Sequence, residues 1–215
     1  IETLGGGEQA GHIALPSPFP QENLCLLAAQ GISTKYADRT RTLDEVCALV
    51  AAAVRARRGN YLAFLPSYQY LRMVQERFAD LYPDIPLAVQ EGGMDEAARE
   101  RFLAQFSADS TETLLGFCVL GGVFAEGIDL VGDRLIGSII VGVGLPQVNA
   151  VQDALRGYYE EARGEGFDYA YRYPGMNKVL QAAGRVIRTG HDRGMVLLID
   201  SRYKQWAYRQ LFPAH

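Results

Sequence analysis

The residues with the most chemistry in this chain lie in one short run, Gln181-Ala182-Ala183-Gly184-Arg185-Val186-Ile187-Arg188. Read as a helix over 175–189, Met176, Val179, Leu180, Ala183 and Ile187 form a buried stripe. Gln181, Arg185 and Arg188 then stand at i, i+4 and i+7 on a second, nearly opposite face. Two guanidinium forks and an amide along one ridge suit triphosphate oxygens across a cleft. Solvated arginines on an amphipathic helix are the plainer alternative. A second run, Gly121-Gly122-Val123-Phe124-Ala125-Glu126-Gly127-Ile128-Asp129-Leu130, mixes glycines with Glu126 and Asp129. It reads either as a loop whose backbone a ligand can approach closely or as a tight turn with surface acids. A third, Pro66-Ser67-Tyr68, opens a helix with a hydroxyl and free N–H groups. Such an opening suits a phosphate, or is an ordinary cap.

These runs need a frame to hold them. Tyr61 to Leu65, Leu87 to Val89, Leu114 to Val119, Ser138 to Val143 and Met195 to Ile199 are apolar runs of strand length. Helical spacing follows most of them: Leu71, Val74 and Phe78 behind Ser67, a helix near 94–106, another near 148–162, and one holding Trp206. Thr42-x-x-Glu45 predicts a capping box ahead of Leu43, Val46, Cys47, Val50 and Val54, with Arg57 and Arg58 closing that helix before Gly59. Unbroken apolar strands alternating with helices imply a mainly parallel sheet covered by helices on both faces. In such sheets ligands gather at the carboxyl ends of the strands, where Ser67 and the glycine run fall.

Composition narrows the function classes. The chain has 215 residues, 48% of them hydrophobic, enough for one full α/β core. It begins at Ile1 without a basic-then-apolar leader, so it reads as part of something longer. The longest apolar runs fall short of the roughly 20 residues that span a bilayer. Cys25, Cys47 and Cys118 are scattered, and His12, His191 and His215 share no ligand spacing. This predicts buried thiols in a reducing, cytoplasmic setting, with neither disulfides nor a metal site. The net charge is −4 and the pI about 5.4, so any nucleic-acid contact must be local. All but Lys35, Lys178 and Lys204 of the 21 basic residues are arginines. The tyrosines from Tyr158 to Tyr173 can stack bases or pack that insertion; packing is the expectation.

Phe64-Leu65-Pro66-Ser67-Tyr68, Gly122 to Leu130 and Gln181 to Arg188 resemble, in order, motifs IV, V and VI of superfamily-two helicases. The G-x-x-x-E-G-I-D and Q-x-x-G-R-x-x-R forms are similar to those of the XPD/DinG group of DNA helicases. So are Leu15-Pro16-Ser17-Pro18-Phe19 and Asp200-x-Arg202; Leu130 stands where an aromatic residue is expected. The resemblance implies a RecA-like three-layer domain over 24–215, with 1–23 an entry segment from a first motor domain. It implies ATP and Mg²⁺ shared with that first domain, single-stranded DNA as partner, and a role in DNA repair or replication. Gln181, Arg185 and Arg188 would approach the γ-phosphate, with Arg188 as the finger. Glu126, Gly127, Asp129 and Gly184 would serve the nucleotide and couple its site to the strand. Ser67, Tyr68 and Gly122 would lie along the strand, where fixed N–H donors hold phosphate without net positive charge.

A phosphate-gripping loop needs Gly-Lys-Ser/Thr, and none of the three lysines has those neighbours. Asp44-Glu45 and Asp95-Glu96 imitate a metal-binding box, but both fall where the first turns of helices are expected. The chain alone is therefore expected to be inactive as an ATPase, and any iron–sulfur cluster to sit in the first domain. Two other classes stay open here. A Rossmann-type nucleotide enzyme would use Gly121 to Gly127 as its ligand loop. A non-catalytic RecA-like module would bind a strand or a partner protein without hydrolysis.

Overall fold

The computed structural model describes residues 17–126 and 130–213. Six strands form one sheet: β1 (Leu24–Ala29), β2 (Asn60–Leu65), β3 (Leu87–Val89), β4 (Leu114–Val119), β5 (Gly137–Val141) and β6 (Gly194–Ile199). Every pairing is parallel, in the order β1-β6-β5-β2-β4-β3. The helices are α1 (Leu43–Ala56), α2 (Tyr68–Leu81), α3 (Glu96–Ala104), α4 (Val123–Glu126), α5 (Ala150–Arg163), α6 (Tyr173–Ala183) and α7 (Trp206–Arg209).

Strand β2 shows why the sequence builds three layers. All six of its residues are buried, and successive side chains point to opposite faces. Tyr61, Ala63 and Leu65 join a core with Val46 and Val50 of α1 and Leu71, Val74 and Phe78 of α2. Leu62 and Phe64 join a second core with Phe102 of α3, Phe124 of α4, and Met176 and Val179 of α6. Each large side chain so enclosed contributes about 1.5–3 kcal/mol of burial. The acidic pairs occupy helix starts, Asp44 and Glu45 in α1 and Asp95-Glu96 at α3.

Four local expectations are corrected. The helix expected over 175–189 ends at Ala183, and Gly184 caps it, donating its N–H to the Leu180 carbonyl at 2.9 Å. Beyond that glycine it is Val186 that packs inside, at 2% exposure, while Ile187 is only half-buried. The capping box does not form. The Thr42 hydroxyl donates to the carbonyls of Ser33 (2.8 Å) and Asp38 (3.0 Å) and caps nothing. Strand β1, which the apolar runs did not mark, completes the sheet as an edge whose Leu26 and Leu27 are about half exposed. Cys25 on that edge is exposed, whereas Cys47 and Cys118 are buried.

The tyrosine-rich insertion packs on itself. Tyr159 stacks on Tyr169 with ring centroids 4.4 Å apart, and Tyr158 and Tyr173 meet that pair edge-on. Of the segment expected to enter the domain, residues 17–23 are described. They run as a short turn into β1, and Asn23 donates to the Gly190 carbonyl at 3.1 Å. Leu15 and Pro16 lie outside the described residues.

Candidate functional site

At the carboxyl end of β2 the chain turns through Pro66 and starts α2 at once. Ser67 is the N-cap, its Oγ accepting from the Tyr70 amide at 3.3 Å. Tyr68, more than a third exposed, turns its hydroxyl toward the end of β3 and accepts from Gln90 Nε2 at 3.0 Å. Gln90 is buried, and its Oε1 accepts from the Val119 amide at 2.8 Å at the end of β4. One side chain thus ties three strand ends together. Nothing in the sequence singles out Gln90; its only mark is a place one residue past the short run Leu87 to Val89.

The glycine run follows β4. Gly121 has a φ of +74°, a left-handed turn that disfavours any side chain. A Cβ on Gly122 would stand 3.1 Å from the Val119 carbonyl oxygen and 3.5 Å from Gln90 Nε2. The turn therefore folds tightly beside the glutamine before entering α4. The structure brings Ser67, Tyr68 and Gly122 together through Gln90, as one cluster at the carboxyl edge of the sheet. Glu126 ends α4, while Gly127 and Asp129 lie outside the described residues.

The arginine run lies elsewhere. Helix α6 starts where Gly175 packs on the Val143 carbonyl, just past the carboxyl end of β5. It runs back until Ser138 Oγ, near the start of β5, donates to the Ala182 carbonyl at 3.1 Å. Gln181, Gly184, Arg185 and Arg188 are therefore toward the amino edge, away from Ser67. Because α6 stops at Ala183, no single helical ridge aligns the three side chains. Gln181 and Arg188 are exposed and Arg185 is half-buried. Arg185 Nε donates to the Ala125 carbonyl of α4 at 2.8 Å. That bond physically links the run to the element that follows the glycine turn.

The backbone around Arg188 is fixed by Asp192, another residue that sequence reasoning missed. Its carboxylate accepts from the amides of Arg188 and Thr189 and from the Thr189 hydroxyl, each at 2.8 Å. Burial works to raise the Asp192 pKa, but these hydrogen bonds outweigh it and hold the carboxyl below its usual value. The spacing Thr189-x-x-Asp192 is a weak sign of such a turn.

A second polar knot lies under the carboxyl edge. Asp200, fully buried at the end of β6, accepts from the Arg202 amide and Nε at 2.7 and 2.8 Å, and from Arg202 Nη2 at 2.7 Å. Thr34 also donates to it. Burial pushes the Asp200 pKa up, yet the paired Arg202 more than offsets this and holds it below the ordinary range. The Thr34–Asp200 bond fixes the loop after β1 to the end of β6.

Comparisons with known proteins give the family and the fold. The family model described as the helicase C-terminal domain matches residues 50–215. The ATP-dependent DNA helicase YoaA of Escherichia coli is 26% identical over 212 residues, covering 97% of this chain and 31% of that protein. The ATP-dependent DNA helicase CHL1 of Coccidioides immitis is 28% identical over 220 residues, covering 82% of this chain and 24% of the relative. The chain thus spans about a third or less of such relatives. Among solved structures, an XPD helicase superposes with a TM-score of 0.71 at 20% identity, covering 87% of this chain and 33% of that one. At that identity the likeness establishes the fold alone, a RecA-like domain. Among the described residues no helix is long and apolar enough to cross a membrane, and no group of side chains could hold a metal ion.

Proposed function

The chain belongs to the helicase C-terminal domain family, and from that premise we propose that it is the second motor half of an ATP-driven DNA helicase. It presents the arginine trigger to a nucleotide gripped by a first RecA-like domain. Ser67, Tyr68 and Gly122 line the path of single-stranded DNA; Gln181, Arg185 and Arg188 face the triphosphate, Arg188 as finger. Glu126, Gly127, Asp129 and Gly184 belong to the stretch that relays one site to the other. A role in DNA repair or replication and an intracellular place go with this reading.

The observation that carries the proposal is the Arg185–Ala125 hydrogen bond. It joins the cluster at the glycine turn to the arginine run, which otherwise sit toward opposite edges of the sheet. A motor needs such a connection, because strand contact and phosphoryl chemistry must bias one another. The donor set fits its assigned share of the chemistry. Guanidinium and amide N–H groups match phosphate oxygens and the charge that develops on a transferring phosphoryl. They do not match Mg²⁺, which the proposal leaves to the first domain. ATP bound between the halves would supply the phosphoryl group; this chain positions donors against it.

The proposal predicts that the purified 215-residue chain neither hydrolyses ATP nor binds it tightly, with or without single-stranded DNA. Joining it to the first motor domain of the same protein restores DNA-stimulated turnover. ATP hydrolysis by the isolated chain at rates typical of a complete motor contradicts the half-motor reading.

A further inference from the structure

The loop between β1 and α1 reaches the same carboxyl edge as Ser67, and none of the residues assigned above lies in it. Tyr36 there is 76% exposed, and Lys35 beside it is exposed as well. Three residues on, the Arg39 guanidinium stands between two rings, 5.6 Å from the Tyr36 centroid and 4.3 Å from that of Tyr70. Tyr70 is buried in the first turn of α2, and its amide donates to Ser67 Oγ. The guanidinium therefore packs on a residue of the helical turn that Ser67 caps.

Arg39 is oddly provided for. Its Nε donates to the Thr34 carbonyl at 3.3 Å, and among the described residues its Nη groups have neither a hydrogen bond nor a carboxylate. Burial costs its charge, and the Arg202 guanidinium nearby repels it. The Tyr70 hydroxyl, also buried, has no hydrogen-bond partner either. A half-buried cation without an anion, stacked on a ring and beside an orphan hydroxyl, is a place prepared for an anionic ligand. The exposed Tyr36 ring next to it offers the flat apolar face on which a nucleobase stacks.

We propose that Tyr36 and Arg39 form a nucleotide subsite on the single-strand path, Arg39 holding a phosphate through its Nη groups and Tyr36 stacking the adjoining base. The subsite rests on the reading of Ser67, Tyr68 and Gly122 as strand contacts and extends that path from α2 onto the β1–α1 loop. The alternative is that Arg39 merely braces Tyr70 as a cation–π contact, which predicts a loss of stability without a specific loss of strand affinity.

The test is the ATP turnover of the full-length motor, titrated with a dT oligomer and with an abasic oligomer of the same length. Tyr36→Ala raises the half-saturating dT concentration roughly 5- to 150-fold, the worth of about 1–3 kcal/mol per stacked base at about 1.36 kcal/mol per decade. It leaves the abasic titration near that of the parent protein, and its effect falls on half-saturation more than on maximal rate. Arg39→Gln weakens both titrations and makes the salt dependence of DNA binding shallower by about 0.7 in log–log slope, while Arg39→Lys keeps that slope. Because Arg39 packs on Tyr70, melting curves are recorded in parallel; the exposed Tyr36 gives the cleaner variant. Parent-like half-saturation in Tyr36→Ala and Arg39→Gln, with Ser67→Ala impaired, overturns the subsite and leaves the strand path standing. Parent-like half-saturation in all three, or no stimulation by DNA at all, overturns the strand path and the subsite with it. Equal losses for Tyr36→Ala on dT and abasic oligomers overturn the stacking role.

Discussion

At the scale of single residues, position in the sheet decides what a polar side chain does. Gln90, Asp192 and Asp200 are all buried, and each holds backbone groups together. Of the three, only Asp200 belonged to a recognisable pattern: Gln90 reaches Tyr68 and Val119, 22 and 29 residues away, and Asp192 binds neighbours within four residues in a turn that spacing marks weakly. Thr34 and Asp200 are 166 residues apart. Asp200 yields a sharp prediction. Asp200→Asn leaves the Arg202 guanidinium, whose side chain is 15% exposed, without its counter-charge, at a cost of about 3–5 kcal/mol in urea unfolding. The folded-state pKa of Asp200 is lowered, so its stabilisation is complete above the unfolded value of about 3.9. It is lost as pH falls through the lower, folded value. The parent protein therefore loses stability on acidification below about pH 4, and the Asn variant loses less across the same window. Equal acid limbs for the two proteins contradict this account.

At the scale of elements, strands and amphipathic helices were legible because their periods are set by burial. The stripe Leu71, Val74 and Phe78 and the Ser67 cap appear where spacing places them. Helix α6 was overextended because the apolar period continues through Ile187. Gly184, a poor helix former, ends it, and Val186 is buried instead. This break changes the argument for the arginine run: the side chains are arranged by a cap and a turn, and Arg185 is held by α4. Helix α4 has only four residues, too few to persist without tertiary support. The Arg185 guanidinium is part of that support. Arg185→Ala is expected to speed amide hydrogen exchange within Val123–Glu126 by roughly 10- to 100-fold, the loss of a charge-assisted bond of about 1.5–3 kcal/mol. Exchange in α2 stays as it was. Unchanged exchange in α4 removes Arg185 as the link between the two clusters.

At the scale of the whole molecule, the sequence disclosed a parallel three-layer domain but not the order of its strands. Apolar runs report that a strand is covered on both faces and say nothing about its neighbours, so the meeting of β2, β3 and β4 ends around Gln90 was hidden. The separation of the two clusters was hidden for the same reason. Motif order placed Ser67, Gly122 and Arg188 along one chain, whereas the fold sets the first two at the carboxyl edge and the last toward the amino edge. The proposed motor depends on this spacing, with a strand read at one edge and a nucleotide triggered from the other. Its central claim is the trigger, and one measurement addresses it most directly: DNA-stimulated ATP turnover of the full-length protein carrying Arg188→Ala. The side chain is exposed and the Asp192 bonds are to backbone amides, which alanine keeps, and a melting curve matching the parent's is expected. Turnover is expected to fall by about 10³- to 10⁵-fold with ATP affinity changed only modestly. Arg188→Lys rescues incompletely, since a point charge does not reproduce the guanidinium fork. Arg57→Ala, at an exposed pair with Asp133 3.9 Å away, serves as the control and keeps its rate. Turnover by the Arg188→Ala protein within a few-fold of the parent rate would contradict the account.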